Sequence, residues 1–392
     1  MDLLANSVQS YPWGSTTVLP GLLGRSPNGE PQAELWVGAH ERLPSRLTRH
    51  GAKLGLDEVI RADPVGELGH SLAGAARLPF LLKILAVERP LSLQLHPDAA
   101  SAARGHAAEQ AAGLAGDAPQ RSFSDPWPKP EMLYAVTDFS AFSGFAETSE
   151  ARDALDAVGG SQLEPVRAAL DSGDPLRAAL SAALRLPADD VAAITGRVRA
   201  APQGGANTGR TLSPALAELA EEFPDDPAVV ALLLMREVTL APGETLFVPP
   251  GQLHCYLAGT ACEVQVSSDN VLRAGLTAKH VDIDGVLELL DTRAGALPPV
   301  PVSDVGVERV FQPPVEEFAL AAIADVPTLT PLAEVPGPAL LMCLQGRYQV
   351  FAGDNDSMEL GQGEAAYVPA RDPALRVRGV GVLLRLTGNR AG

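Results

Sequence analysis

The sequence predicts a mainly β fold in which two small β-barrels are combined with an α-helical insertion. Short apolar runs separated by Gly and Pro, which are typical of strands and turns, occupy both ends of the chain, and a block with repeated helix-start signals lies between them. Residues 241–249 and 361–369 also form a weak repeat, because each is a Gly-Glu turn into a short β-type run that ends in Val-Pro. The repeat suggests a duplicated barrel, with chance similarity of two β-turns as the alternative.

The domain boundaries follow from these changes in pattern. A length of 392 residues exceeds one ordinary hydrophobic core and favours several domains. We expect a first barrel that carries the candidate site and is discontinuous, formed by residues 1–145 and 237–296. A helical insertion is expected at residues 146–236, and a second barrel without metal at residues 297–392. The proline-rich residues 297–302 are expected to act as a linker.

Helix starts within the insertion are marked by a capping side chain followed by proline, which suits the first helical turn. The three dipeptides are Asp174-Pro175, Ser213-Pro214 and Asp226-Pro227. The glycine-rich residues 203–209 lack the Lys and the Ser or Thr that end a phosphate-binding loop. We therefore interpret them as a flexible connector.

Composition and charge exclude several classes of partner. The net charge of −18 argues against nucleic acid, because non-specific phosphate binding requires a basic surface, and an anionic small molecule would need a local basic cluster. The apolar runs are too short to cross a bilayer, and the N-terminus has no signal-peptide pattern. We expect no membrane association and a cytoplasmic location. The scattered cysteines Cys255, Cys262 and Cys343 are expected to be ordinary buried thiols.

Two segments present histidines on predicted strands. Residues 91–96 alternate so that Gln94 and His96 share one strand face, opposite two leucines. Residues 243–254 predict a turn, a strand, a break at Pro249-Pro-Gly and a second strand that begins near His254.

A carboxylate completes a candidate metal site. Glu131 lies in Trp127-Pro-Lys-Pro-Glu, whose prolines favour an extended backbone. With Gln94, His96 and His254 it supplies two imidazoles, one carboxylate and one amide oxygen, which suit a divalent metal and zinc in particular. A single strand histidine is more often structural than a ligand, so the prediction depends on the set. Residues 297–392 contain no histidine, and we assign no metal there.

Three cations each allow two interpretations. Lys83 interrupts the apolar run 78–87, which predicts a strand buried on both faces, and its amine either reaches the surface or lines a pocket. Arg273 and Lys279 follow the alternating run 263–269. They are either delivered to an anion by a loop or are solvated charges at an ordinary strand exit.

The chain resembles two groups of known proteins. Residues 243–254 resemble the second motif of cupin barrels. Over about residues 11–280 the chain resembles the type I phosphomannose isomerases, because six segments occur in that family's order. They are Tyr11-Pro-Trp-Gly-Ser15, Ala33-Glu-Leu-Trp-Val-Gly-Ala-His40, Ser92-Leu-Gln-Leu-His-Pro-Asp98, Lys129-Pro-Glu-Met132, Pro249-Pro-Gly-Gln-Leu-His254 and Ser268-Asp-Asn-Val-Leu-Arg-Ala-Gly-Leu-Thr277.

The resemblance implies two cupin-like jelly-roll barrels with an inserted helical domain. It implies one zinc ion per chain, held by Gln94, His96, Glu131 and His254. It also implies that Arg273 is an active-site residue. Further residues fall in or near the site for a sugar phosphate, namely Ser92, Lys129, Asp269 and Lys279. We expect the substrate also to be bound by Trp13, Lys83 and Glu263.

The implied reaction interconverts mannose 6-phosphate and fructose 6-phosphate through an enediol or enediolate. Zinc and Arg273 would stabilise the negative charge that develops on oxygen, and Lys129 and Asp269 are the candidate bases. Two positions depart from the family pattern. Pro128 stands where a histidine often precedes the Lys-Pro-Glu motif, and Ala278 stands where proline is common.

Two other functions stay open at this point. An iron-dependent cupin oxygenase would use two histidines and a carboxylate, and it fits Gln94 less well. A non-catalytic sugar-phosphate-binding protein would have no need to retain all four ligands together with Lys129 and Arg273. We expect a monomer or a weak homo-oligomer.

Overall fold

The computed structural model describes residues 1–201, 212–354, 356–372 and 374–389. Residues 203–209, interpreted above as a connector, lie outside the described residues. Within the described ranges the fold is mainly β with additional helices, as predicted. No helix in these ranges has the length and apolar character needed to span a membrane.

The strands before residue 280 form the first barrel, apart from the N-terminal strand and a separate two-stranded sheet within residues 46–55. In chain order they are β1 (Asp2–Leu4), β2 (Ser7–Gln9), β3 (Glu34–Gly38), β4 (Arg46–Arg49), β5 (Ala52–Gly55), β6 (Phe80–Val87), β7 (Leu93–Leu95), β8 (Glu131–Ala135), β9 (Phe139–Phe145), β10 (Met235–Leu240), β11 (Thr245–Val248), β12 (His254–Val266) and β13 (Leu272–Gly275). Four α-helices precede β8, namely α1 (Val18–Leu22), α2 (Leu56–Ala62), α3 (Pro64–Leu68) and α4 (Ala99–Ala111). Every residue of β6 is buried, as predicted for that apolar run.

Strand β12 connects the two sheets of the first barrel. Its first residues pair with β7 and β9, whereas its later residues pair with β6 and β8. Strands β3 and β2 continue one sheet beyond β6, and β11 adds to it beside β8. Strands β10 and β13 extend the other sheet beside β9 and β7. The pairs are antiparallel, so alternate residues of each strand face the barrel interior.

Helices follow β9 and form the insertion. They are α5 (Thr148–Val158), α6 (Glu164–Ala169), α7 (Pro175–Leu184), α8 (Ala188–Ala200), α9 (Pro214–Glu222) and α10 (Ala228–Ala231), and α11 (Ile283–Leu289) follows β13. Helices α7 and α9 begin at the predicted prolines, and the Ser213 hydroxyl accepts the Ala215 N–H at 3.1 Å. Helix α10 begins at Ala228, one residue after the predicted start.

The insertion covers the outer faces of the strands that carry the site. Its apolar core includes Leu93, Leu95, Cys255 and Leu272, which are buried. Because side chains alternate along a strand, Gln94 faces the opposite way, into the barrel. Cys255 and the other two cysteines are buried and unpaired, as predicted.

The second barrel is formed by the strands β14 (Val302–Val305), β15 (Glu308–Phe311), β16 (Ala319–Pro331), β17 (Ala339–Ala352), β18 (Asp356–Gly361), β19 (Ala365–Val368) and β20 (Leu375–Thr387). Its strand order is β1-β19-β17-β20-β16-β15-β14, with β18 beside β17. Strand β1 lies among the residues expected for the first barrel but belongs to this sheet, where Asp2 pairs with Tyr367. The division of the chain into three domains stays a prediction.

The two barrels share one apolar core. Ile84 and Val264 of the first barrel belong to the same buried cluster as Leu384 and Leu386 of the second. Since Val264 faces this cluster, its neighbours Glu263 and Gln265 face the interior of the first barrel.

Candidate active site and metal centre

Three neighbouring strands bring site residues side by side. Gln94 of β7 pairs with His254, the first residue of β12, and also with Arg273 of β13. Side chains directly opposite each other on antiparallel strands lie on the same face. His254, Gln94 and Arg273 therefore form a row inside the first barrel, and they come from segments far apart in the sequence.

A buried cluster contains three of the predicted metal ligands. The donor atoms of His96, Glu131 and His254 all lie within 4.8 Å of one another. His96 Nε2 is 3.2 Å from Glu131 Oε1, and His254 Nε2 is 3.7 Å from Glu131 Oε2. Each of these residues is only 1% exposed, so the cluster is almost completely shielded from bulk water.

Both imidazoles are held in the orientation and tautomer that a metal requires. His96 Nδ1 lies 2.7 Å from the Asn270 carbonyl oxygen, and His254 Nδ1 lies 3.0 Å from the Gln252 carbonyl oxygen. Since a carbonyl only accepts, each Nδ1 carries the proton and each Nε2 presents a lone pair. Burial lowers the pKa of His96 to about 4, with the Lys129 ammonium acting in the same direction, and burial also lowers the pKa of His254. Both rings are neutral at neutral pH.

Glu131 is kept ionised by its neighbours. Burial raises the pKa of this carboxyl group, but the Lys129 ammonium, 2.9 Å from Oε1, acts together with His96 and His254 to hold the pKa well below its usual range. Its other oxygen accepts the Tyr256 hydroxyl at 3.1 Å. An anionic carboxylate beside two neutral imidazoles is a donor set that suits zinc.

Gln94 lies beside the cluster and is oriented by Ser92. The Ser92 hydroxyl donates to Gln94 Oε1 at 2.8 Å, and Gln94 Nε2 is 3.5 Å from His254 Nε2. The side-chain amide thus reaches the cluster, but Gln94 must turn its oxygen inward to act as a ligand.

A cavity of about 730 Å³ opens above the cluster. The predicted site residues that line it are Trp13, Lys83, Ser92, Gln94, Lys129, Glu131, Glu263, Asp269, Arg273 and Lys279. His96 and His254 do not line the cavity and are buried beside Glu131. The structure therefore brings all of the predicted residues to one place.

Lys83 lines the cavity and does not reach the outer surface. Its side chain is 8% exposed, and its amine lies 3.2 Å from Glu263 and 3.9 Å from Glu34. Burial lowers the pKa of Lys83, but the two carboxylates outweigh burial and raise it. The pocket interpretation is confirmed, and the amine is already compensated by acids.

Arg273 and Lys279 differ from the other cations of the cavity. Among the described residues, neither forms an ion pair with a carboxylate, whereas Lys83 and Lys129 both do. Burial lowers the pKa of both groups, and for Lys279 the neighbouring Arg273 acts in the same direction. Both cations line the cavity without a compensating acid, an arrangement that would suit an anion, and the choice between the two interpretations stays a prediction.

Asp269 is engaged by two residues that the sequence did not single out. His40 Nε2 is 3.2 Å from Asp269 Oδ2, and Arg42 is 2.9 Å from Oδ1. Burial raises the pKa of Asp269, but His40 and Arg42 outweigh burial and lower it to about 2. His40 has no metal-ligand spacing, so only the fold reveals its contact with Asp269.

The presence of Tyr256 beside the cluster was predictable from the sequence. It lies two residues after His254 on the same strand, and side chains two residues apart on a strand lie on the same face.

Comparisons with known proteins agree along the whole chain. A family model for the catalytic domain of type I phosphomannose isomerases matches residues 1–148. Mannose-6-phosphate isomerase of Escherichia coli is 35% identical over 98% of this chain and 99% of its own length, and that of Salmonella typhimurium is 34% identical with the same coverage.

Solved structures show the same fold. A zinc-bound mannose 6-phosphate isomerase is similar with a TM-score of 0.87 and 32% identity, covering 99% of both chains. A point mutant of the Salmonella typhimurium phosphomannose isomerase is similar over both full chains with a TM-score of 0.88. The chain therefore belongs to the type I phosphomannose isomerase family.

Proposed function

We propose that the protein is a zinc-dependent aldose–ketose isomerase that interconverts mannose 6-phosphate and fructose 6-phosphate through an enediol or enediolate. One observation carries the proposal. A buried set of two neutral imidazoles and one carboxylate lies beneath a cavity that also presents two uncompensated cations. The first feature suits a metal that activates a carbonyl, and the second suits a phosphate.

The proposed zinc ligands are His96, Glu131, His254 and Gln94. When bound, zinc supplies Lewis-acid polarisation of a substrate oxygen. The Nδ1–H groups of the two imidazoles donate to backbone carbonyls and keep both Nε2 atoms available. Tyr256 and Lys129 hold the Glu131 carboxylate in place from opposite oxygens.

The proposed phosphate site consists of Arg273 and Lys279. A phosphate binds best where cations are not already neutralised by carboxylates, which favours these two residues over Lys83. Lys83 and Glu263 instead form a compensated pair in the cavity wall, where they are available for hydrogen bonds to sugar hydroxyls. Trp13 and Ser92 complete the proposed substrate contacts.

The proton between C1 and C2 needs a base near the ligand cluster. We favour Lys129 over Asp269, because its Nζ lies 3.5 Å from His96 and 2.9 Å from Glu131, where zinc held by these ligands would favour loss of the ammonium proton and leave the neutral amine that a base requires. Asp269 is paired with His40 and Arg42, and a pKa of about 2 makes it a weak base at neutral pH. We assign Asp269 to holding the cavity wall.

Pro128 replaces the histidine that often precedes this motif in the family. If that histidine opens the sugar ring in relatives, then another donor performs the step here. Lys129 is the nearest candidate along the chain. Substitution of Pro128 by His tests this assignment, since it should raise turnover of the closed-ring substrate if ring opening limits the rate.

The alternative functions lack specific support. No observation favours an iron oxygenase, and a non-catalytic binding protein would not need a buried ligand set beside an ionised carboxylate. We also propose a cytoplasmic location, which the three unpaired cysteines favour, and a monomer or weak homo-oligomer.

A coupled assay tests the proposed function. The purified protein is given mannose 6-phosphate, and formation of fructose 6-phosphate is followed before and after dialysis against a chelator. We expect turnover that is lost with the metal and restored by one equivalent of zinc. Absence of turnover in the zinc-loaded protein would overturn the proposal.

A further inference from the structure

The residues after Arg273 form a short loop that brings Lys279 to the cavity. We call residues 274–281, which comprise the last two residues of β13 and the turn after it, the cation loop. A hydrogen bond of 3.0 Å from the Asp282 N–H to the Arg273 carbonyl closes its two ends. Lys279 lies at the exposed side of the loop, with its amine 5.3 Å from the centre of the Tyr11 ring. The position of this amine therefore depends on the path of the loop backbone.

The loop turns at a residue with an uncommon backbone conformation. Leu276 has a φ of +55° and is 3% exposed. Left-handed backbone is unfavourable for a side chain such as leucine, and a buried N–H without a partner is costly. The Leu276 N–H donates to Asp226 Oδ2 at 2.6 Å, so one carboxylate oxygen supports the turn.

Asp226 belongs to the helical insertion, not to the barrel. Its other oxygen, Oδ1, accepts the Ala228 N–H at 2.9 Å, at the start of α10. The contact is close, because a Cβ atom on Gly275 would lie 2.5 Å from Ala228 Cβ and 2.6 Å from Asp226 Oδ1. One carboxylate thus bridges the first turn of an insertion helix and the cation loop.

We propose that Asp226 is a positioning residue that fixes the cation loop so that Lys279 meets the phosphate of the substrate. The proposal rests on the function proposed above, and it gives the helical insertion a part in substrate binding. Arg273 itself is held independently, since β13 pairs with β7. Loss of the Asp226 bond should therefore weaken binding through Lys279 and leave the metal cluster intact.

The variant Asp226→Asn separates the two bonds of the carboxylate. The Ala228 and Leu276 N–H groups contact different carboxylate oxygens, and asparagine replaces one of these oxygens by an NH2 donor, so it can keep only one of the two bonds while remaining a favourable residue before a helix. We expect the KM for mannose 6-phosphate to rise about tenfold, the factor that corresponds to loss of one charge-assisted contact, with kcat and zinc content nearly unchanged. A second variant, Asp226→Ser, retains an oxygen for Ala228 but is too short to reach Leu276.

Ser213→Ala is the matched control. It removes a side-chain acceptor at the start of α9 in the same insertion, and Ser213 does not line the cavity. It should lower the melting temperature as much as the Asp226 variants do, while KM stays at the parent value. If Asp226 only stabilises the fold, its variants should behave like Ser213→Ala, with a lower melting temperature and an unchanged KM.

A double-mutant cycle shows whether Asp226 acts through Lys279. In the Lys279→Ala background, Asp226→Asn should raise KM less than twofold further, because contacts in one network are not additive. A KM within twofold of the parent for both Asp226 variants, or full additivity with Lys279→Ala, would overturn the proposal.

Binding of inorganic phosphate distinguishes a failure of this proposal from a failure of the proposed function. If the zinc-loaded parent turns over no mannose 6-phosphate, the proposed function fails. Calorimetry then tests the positioning role of Asp226 by comparing how tightly the parent and Asp226→Asn bind inorganic phosphate. Weaker phosphate binding by Asp226→Asn than by the parent supports it. Equal binding, or no binding by either protein, contradicts it.

Discussion

The two barrels contain the same local turn but different interiors. Strands β11 and β19 each follow a Gly-Glu turn, with Gly243 at φ +87° and Gly363 at φ +81°. In both turns the glutamate carboxylate accepts a backbone N–H three residues earlier at 2.8 Å. The next strand then begins with His254 in the first barrel and with Leu375 in the second.

Each interior contains a buried carboxylate with a different partner. Glu131 of the first barrel lies among two imidazoles and an amine, whereas Glu308 of the second lies 3.1 Å from Arg385. Glu308 also accepts the Ala333 N–H, and Arg385 donates to the Ala333 carbonyl. The pair therefore holds the loop that contains Ala333. The comparison shows that the same Gly-Glu turn can start a strand in either barrel. The few side chains that point into the interior determine whether the barrel has a candidate reactive site.

The largest expected effect is the loss of Glu131. The variant Glu131→Gln keeps the shape of the side chain but removes the charge that compensates zinc and Lys129. We expect kcat/KM to fall by about a thousandfold, the scale seen when a principal stabilising group is removed, and zinc content to fall with it. Metal analysis and the coupled assay check both quantities. Retained zinc and turnover would remove Glu131 from the ligand set.

Glu308→Gln is the matched change in the second barrel. Breaking a buried ion pair leaves Arg385 without its partner and should lower the free energy of unfolding by about 3 kcal/mol. Zinc content and kcat/KM should stay within twofold of the parent. Urea unfolding and the coupled assay provide the measurements, and a large loss of activity in the folded variant would contradict the assignment of chemistry to the first barrel.

Acid should destabilise the metal-free protein through the first barrel. The pKa of His96 falls on folding from its ordinary 6.5 to about 4, so the unfolded chain binds a proton that the folded chain does not. Stability should therefore decrease as the pH drops from about 6.5 towards 4, with a slope near 1.4 kcal/mol per pH unit for one proton.

Unfolding of the metal-free protein in urea across this pH range measures the slope. The variant His96→Gln should show a shallower dependence, because one buried neutral imidazole is gone. The second barrel contributes no histidine to this window. An unchanged slope in His96→Gln would show that His96 is not the titrating group.

The smallest expected effect concerns the two turns themselves. Glu244→Ala and Glu364→Ala each remove one exposed hydrogen bond to a backbone N–H. Each should lower the free energy of unfolding by about 0.5 kcal/mol, and the two losses should agree. Unequal losses in urea unfolding would mean that the turns are alike in geometry but not in energetic role.

Local patterns in the sequence predicted much of this molecule. The Pro175 and Pro214 helix starts and the buried strand β6 depend on neighbouring residues and were found as expected, and Gln94 and His96 reach the same cluster, although His96 lies just after the end of β7. The resemblance to a known family supplied the ligand set. These features are readable because their causes lie within a few residues.

The contacts that were not predictable are long-range. The pairing of β1 with the second barrel, the engagement of Asp269 by His40, and the bond from Asp226 to Leu276 join segments with no local signal. The choice between surface and pocket for Lys83 also required the fold, because it depends on Glu34 and Glu263 from other strands. Such pairings follow from tertiary packing alone.

Anomalous diffraction at the zinc absorption edge from crystals of the zinc-loaded protein tests the assignment of the metal most directly. We predict one strong peak in each chain, about 2 Å from the Nε2 atoms of His96 and His254 and within reach of Glu131 and Gln94. A peak in the second barrel, or none beside these four side chains, would contradict the assignment.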